Sequence, residues 1–246
     1  MNDWKNQLFD SYVSSGQATG DFHQRPKLSP KNFPYFQRLI KQRLPDNIDA
    51  AIVDIACGYG ALLYCLRESG YRNIKGIDVS SEQVELAHNL GAQEAKCGDM
   101  FGFLKENANS FDVVFLMDIL EHLEREELFK LLRLVNISLK NEGLVIVHVP
   151  NGAGLFGMRI RYGDLTHENC FTAKSIRQTM GGSGFCEIRC FEDKPIIHGI
   201  SSFLRFVLWN ILIIPHKLLL IAETGQTDIL SQNILVVARK APAQKS

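Results

Sequence analysis

The sequence carries no net charge, because 27 Lys and Arg residues cancel 27 Asp and Glu residues. A protein built for nucleic acid usually presents a basic field, so DNA and RNA are not expected as partners. The six cysteines, Cys57, Cys65, Cys97, Cys170, Cys186 and Cys190, include no C-x-x-C pair and no metal-ligand spacing with histidine. Neither a disulfide framework nor a metal is therefore expected, and the cysteines read as buried free thiols in a reducing compartment. Met1-Asn2-Asp3-Trp4-Lys5 lacks the basic start and apolar run of a signal peptide, which makes a cytoplasmic location the expectation. There is no internal repeat. Nor is the chain short of core-forming residues: 46% are hydrophobic and 22% charged, which excludes disorder for its bulk.

From Ala51 to Val149, apolar runs suited to buried parallel strands alternate with helical patterns, the rhythm of βαβ units. Strands are expected at Ala51–Ala56, Asn73–Val79, Ala92–Lys96, Phe111–Leu116 and Gly143–Val149, and later near Gly184–Phe191 and Asn233–Arg239. Ser80 reads as a helix cap reciprocated by Gln83. Leu128, Leu131, Leu132, Val135 and Leu139 recur at helical spacing and mark one buried stripe. A further helix begins near Thr172. The expected architecture is an α/β, Rossmann-like, doubly wound and mostly parallel seven-stranded sheet over residues 51–240. Residues 1–50 read as an N-terminal helical lid over a ligand site, with Phe33, Phe36, Leu39, Ile40 and Leu44 on one helix face that Pro45 ends. Residues 241–246 read as a disordered tail.

The strongest local signal is Val53-Asp54-Ile55-Ala56-Cys57-Gly58-Tyr59-Gly60, a buried strand running into a turn with alternate glycines. Glycine there lets backbone approach a ligand, and Asp78 at the end of the next strand can accept both hydroxyls of a ribose. The dinucleotide fingerprint needs a third small residue where this chain has Leu63, which argues against a pyrophosphate and hence against an oxidoreductase. Asp54 beside the turn would instead welcome an ammonium group. Tyr71 and Lys75 share the Y-x-x-x-K spacing of short-chain dehydrogenases but fall away from the ligand edge of the sheet.

Four segments together resemble the class I S-adenosylmethionine-dependent methyltransferases over Ala51 to Pro150. They are Asp54 to Gly60, Gly76-Ile77-Asp78-Val79-Ser80, Gly98-Asp99-Met100, and Phe111 to Asp118 followed by Glu121-His122-Leu123. The resemblance implies S-adenosylmethionine as cofactor. Its candidate binding residues are Asp54, Ala56, Gly58, Gly60, Asp78, Val79, Asp99, Met100 and Met117. Gly163 to Thr172, Ala222-Glu223-Thr224-Gly225 and Gln232 to Arg239 resemble more narrowly the methyltransferases of bacterial O-antigen and capsule glycan assembly, which implies a small-molecule or lipid-linked glycan acceptor.

For catalysis the candidates are His122, at the carboxyl edge of the fourth strand, and the loop residues Asp164, His167 and Glu168, any of which can bind an acceptor or take its proton. Methylation of a sugar hydroxyl is the favoured expectation. A small lipid or phenolic acceptor and a non-catalytic S-adenosylmethionine-binding module are the alternatives. Ile196–Ala222 is unusually apolar, yet Arg205 and His216-Lys217 leave too short a run between them to span a bilayer. It reads as a peripheral contact with the inner membrane, a homodimer interface, an acceptor wall or a core helix.

Overall fold

The computed structural model of the protein describes residues 33–242. Seven strands form one sheet: β1 (Ile52–Ile55), β2 (Ile74–Asp78), β3 (Ala95–Cys97), β4 (Phe111–Met117), β5 (Leu139–Pro150), β6 (Phe185–Glu192) and β7 (Asn233–Lys240). Their order is β3-β2-β1-β4-β5-β7-β6, with β1 to β5 parallel and β7 antiparallel to both of its neighbours. The strand order reverses between β1 and β4, and in such sheets ligands bind in the crevice at the carboxyl ends of the strands there.

Side chains alternate along each strand, so each face of the sheet gathers its own core. Val53, Ile55, Val114, Leu116, Val145 and Val147 meet helices α4 (Met100–Glu106), α5 (Arg125–Ser138) and α7 (Ala173–Gly181) on one side. On the other, Ile52, Val113, Phe115 and Ile146 meet α1 (Pro34–Arg43) and α2 (Ala61–Glu68). Helix α3 (Ser81–Leu90) closes a smaller cluster of Cys57, Leu63, Val84, Ala87, Ala92 and Ala95. A short helix, α6 (Gly157–Arg161), follows β5.

Several local expectations change. Leu139 leaves the helical stripe: α5 stops at Ser138, and Leu139 pairs with Phe111 as the first residue of β5. The third strand starts at Ala95 because residues 91–92 finish the helix before it, Gly91 at φ +98° and the Ala92 amide returning to the Ala87 carbonyl. Gln83 does not reciprocate the Ser80 cap. Ser80 Oγ accepts from the Gln83 amide, whereas the Ser80 amide donates to Asp78. Cys97 is exposed rather than buried.

Residues 1–32 of the expected lid lie outside the described residues, as does most of the tail. The described part, α1, packs Leu39 and Ile40 into the core and lines no part of the cavity described below. The apolar insertion is one helix, α8 (Ile200–Thr224), of 25 residues. That overturns the length argument, since it is long and apolar enough to cross a membrane by length and composition. It also overturns the core-helix reading, because only Ser202 and Ile213 along it are buried.

Close packing around the first turn decides where glycine is needed. Gly60 caps α2 at φ +76°, and a Cβ on it would lie 2.8 Å from the Cβ atoms of both Ala87 and Ala92. At Gly76 of β2 a Cβ would meet Leu63 Cδ1 at 2.4 Å, so the bulky helix residue sits over a bare strand position. Gly60→Ala combines left-handed strain with a backbone-level clash. It should lower unfolding free energy by about 2–4 kcal/mol in urea titration. A variant as stable as the parent would refute this packing.

Candidate active site

At the carboxyl edge of β1, β2 and β4 lies a cavity of about 470 Å³, within the range of small-ligand sites. Ala56, Gly58, Asp78, Val79, Asp99 and Met100 line it, together with Ser80, Gln83, Gly98, Phe101, Asp118, Ile119 and His122. The other proposed cofactor residues stand back from it. Gly60 serves the helix packing above, Met117 packs toward the α1–α2 core, and Asp54 is buried beneath the loop.

Asp78 joins two loops. Its Oδ2 accepts the Gly58 amide at 2.8 Å and its Oδ1 the Ser80 amide at 2.9 Å. Each oxygen keeps a second lone pair for a ligand hydroxyl. Burial raises the Asp78 carboxyl pKa, and amides from Ser80, Gly58 and Val79 work against that rise. Burial and then the Asp78 charge push Asp54 well above the usual carboxylate range. Gln83 lines the cavity, and its Oε1 and Asp54 Oδ1 are both buried with no hydrogen-bond partner. Unsatisfied buried acceptors of this kind suit a ligand bearing ammonium and ribose donors. Asp99 caps α4 through the amides of Phe101 and Gly102 while also bordering the cavity. Val79, 57% exposed, offers a flat base an apolar surface. The residues therefore fit S-adenosylmethionine.

Beyond β4 the chain holds Asp118 at φ +53°, a strained conformation for a residue with a side chain. Its Oδ1 pairs with His148 Nδ1 at 2.6 Å, and the other ring nitrogen of His148 meets Asp193 at 3.2 Å. Burial alone would lower the pKa of His148, but the two carboxylates outweigh it and carry it up to about 10. Tyr35 of α1 packs edge-on against this ring, so the N-terminal helix braces the site from behind.

The acceptor-side candidates come together only in part. His122 sits in the turn after β4, 8% exposed and on the cavity wall, with its ring centroid 4.7 Å from that of His167. Its Nδ1 lies 2.8 Å from Thr166 Oγ1, which donates to Asp164 Oδ1 at 2.6 Å. Asp164 thus acts behind His122, through a residue not picked out from the sequence. Burial first, then His167, lowers the His122 pKa to about 4. The Glu168 side chain is exposed, while the Glu168 and Asn169 amides both donate to the Glu121 carbonyl and latch the loop in place. Glu121 itself, 1% exposed, stands in the quoted motif but is not among the candidate catalytic residues read from the sequence. Asp118 and Glu121 both stand in the quoted motifs, but nothing in spacing reveals that the chain folds His167 back onto them. Tyr71, by contrast, spends its hydroxyl on the Pro45 carbonyl, away from the cavity.

Two predictions follow from these contacts. Asp78→Ala should weaken S-adenosylhomocysteine binding by about 1.5–3 kcal/mol in calorimetry, through loss of charge-assisted hydrogen bonds; unchanged affinity would place the ribose elsewhere. His148 gains its proton affinity on folding, so its contribution is complete below an unfolded pKa of about 6.5 and is lost as pH rises toward 10. The stability gap between the parent and His148→Gln should accordingly shrink from pH 6 to pH 10, by a few kcal/mol; a gap independent of pH would show that the imidazolium is not formed.

A methyltransferase-domain family matches residues 25–187. A ubiquinone biosynthesis O-methyltransferase of Rickettsia bellii is 28% identical over 138 residues, 54% of this chain and 55% of that protein. The chain thus spans about half the length of the curated relatives it matches. Among solved structures, a SAM-dependent methyltransferase from Archaeoglobus fulgidus superposes with a TM-score of 0.66 at 19% identity, covering 93% of this chain and 99% of that one. Phosphoethanolamine N-methyltransferase 2 of Haemonchus contortus, crystallised with S-adenosyl-L-methionine, gives 0.62 at 18% identity over 95% of this chain and 60% of that one. The matched domain takes in the glycine turn, the cavity and the His122–His167 wall, and the chain belongs to the methyltransferase family as a class I, S-adenosylmethionine-dependent enzyme.

Proposed function

We propose that the protein O-methylates a hydroxyl on a lipid-borne acceptor at a membrane surface. The observation that carries this reading is α8. Its Phe203, Leu204, Leu208, Ile211, Leu212, Leu218 and Leu219 are all at least 49% exposed. At about 100° per residue they fall on one half of the helix, with Arg205 and His216 together just past one edge of it. Its opposite side is tied to the body through Lys217 to Glu192 and Lys194 to Asn210. A helix held flat with its apolar half outward suits a bilayer interface, where cations at the border meet anionic head groups. A second exposed apolar group, Leu155, Phe156, Met158, Tyr162 and Leu165, surrounds α6, whose Ile160 carbonyl is hydrogen-bonded to His167.

Transfer itself asks little covalent chemistry of the protein. The acceptor oxygen bonds to the methyl carbon as the carbon–sulfur bond breaks, sulfur keeps that electron pair, and the hydroxyl proton leaves. Alignment and exclusion of water are the protein's main contributions. Asp78, Gln83 and the Gly58 turn hold the donor, and the His122–His167 wall receives the acceptor and is where its proton departs. Curated relatives named for ubiquinone biosynthesis favour a hydroxylated aromatic ring on an isoprenoid tail. A sugar hydroxyl on a lipid-linked glycan, implied by the narrower resemblance, shares the membrane and the reaction.

Both acceptors can be tested together. The protein with S-adenosylmethionine is mixed with anionic vesicles carrying either a polyprenyl catechol or a polyprenyl-linked sugar, and methyl ethers are read by mass spectrometry. Turnover on the catechol supports the proposal, turnover on the sugar lipid alone selects the glycan reading, and methylation of neither overturns lipid-borne O-transfer. The parent should float with the vesicles, whereas Leu204→Glu/Ile211→Glu should stay in the soluble fraction. A parent that stays soluble as a dimer, lost in that variant, would make α8 an oligomer interface instead.

A further inference from the structure

We propose that the cleft between α4 and α5 binds the phosphate or diphosphate group of an organic ester, at a site separate from the cofactor cavity. The cleft offers about 510 Å³, a volume in the range of small-ligand sites. Lys105 of α4 and Arg125, Lys130 and Arg133 of α5 line it, against one carboxylate, Glu126. None of these cations forms an ion pair among the described residues. In a chain whose charges cancel overall, unpaired cations gathered around one concave surface are a local excess that an anion would neutralise.

Helix stability does not account for the arrangement. Arg125 is the first residue of α5, where the helix dipole favours anions over cations. Lys130 and Arg133 stand three residues apart, a spacing at which like charges weaken a helix. Arg125, Phe129 and Arg133 follow one another at intervals of four, so they form a single stripe along one side of the helix.

The chemistry of the lining selects the ligand. The two guanidinium groups offer paired N–H donors that match phosphate oxygens, and the two ammonium groups add point charges. Phe129, 36% exposed, and the half-buried Leu134 give the same cleft an apolar side, which suits the carbon skeleton of an ester better than a bare inorganic ion. Lys130 also lines the cofactor cavity, and its Nζ lies 4.4 Å from the centroid of the Phe101 ring, itself on the cavity wall. The two spaces thus meet at one side chain but differ in sign. Asp78, Asp99 and Asp118 line the cavity, where a cationic cofactor is welcome, whereas the cleft repels such a cofactor and accepts an anion. The ester is either a soluble molecule or a phospholipid head group, and the site does not depend on the acceptor assigned above.

Calorimetry reads the site directly, with inorganic pyrophosphate and geranyl diphosphate as probes and S-adenosylhomocysteine affinity as the control for folding. One anion per chain is expected, with geranyl diphosphate held more tightly than pyrophosphate, affinity falling as salt rises, and roughly tenfold weaker binding in Lys105→Ala and in Arg133→Ala. Both residues are exposed and neither lines the cofactor cavity, so S-adenosylhomocysteine affinity should keep its parental value. Saturating S-adenosylhomocysteine should leave the anion bound. Failure of both probes to bind, undiminished binding in the Lys105→Ala/Arg133→Ala protein, or complete displacement by S-adenosylhomocysteine overturns the site. Pyrophosphate held as tightly as geranyl diphosphate overturns the ester as its ligand. The two sources are separated in the Leu204→Glu/Ile211→Glu background, which removes the apolar face of α8: phosphatidylglycerol vesicles that displace geranyl diphosphate identify a head group, and vesicles that leave it bound identify a soluble ester. Loss of the anion site leaves lipid-borne O-transfer standing, and loss of O-transfer leaves the anion site standing.

Discussion

One carboxylate, Asp78, ties together the parts of the molecule that must not drift. Its two oxygens take the amides of Gly58 and Ser80, so the turns after β1 and β2 are held by a single side chain at the edge of the sheet. The glycine turn and the start of α3 are thereby fixed relative to one another before any ligand arrives, which limits the ordering that binding must impose. The energetic cost of burying that carboxylate is offset by amides that would otherwise lack partners. Neighbouring acceptors, Asp54 Oδ1 and Gln83 Oε1, remain unsatisfied. The donor site is thus an acceptor-rich pocket inside a stable sheet, at odds with its own hydrogen-bonding needs until a ligand supplies donors.

A second set of charges works differently. Asp118, strained at the end of β4, and Asp193, just past β6, converge on His148 of β5. This ion cluster ties the parallel half of the sheet to its antiparallel extension. The two halves are otherwise joined by the β5–β7 pairing and the hydrophobic faces. Tyr35 lies against the same ring, so the N-terminal helix has a polar as well as an apolar reason to be where it is.

The sheet, its order of alternation and the first-turn residues were legible because βαβ units write themselves as apolar runs, caps and glycines at short range. Ala56, Gly58, Asp78, Val79, Asp99 and Met100 stand where strand-end reasoning places a cavity. What stayed hidden depends on long-range return of the chain. Thr166 matters only because its loop is pinned by backbone amides to the Glu121 carbonyl and by the Asn169 side chain to the Leu123 carbonyl. Leu139 kept helical phase and strand phase at once, so periodicity could not assign it. For α8, counting the run between charged residues undervalued a helix in which Arg205 and His216 lie beside the apolar half rather than interrupting it.

Leu63 and Gly76 have one more consequence. In the dinucleotide fingerprint the small residue belongs to the helix; here bulk stands on the helix and the relief on the strand. Gly76 pairs in register with Asp54, and Asp78 follows two residues later on the same strand. Thickening that contact would therefore tilt the very carboxylate that braces both turns. A fault in core packing at this point would announce itself as a fault in ligand affinity, so that the chain's tolerance to substitution here is governed by recognition as much as by folding.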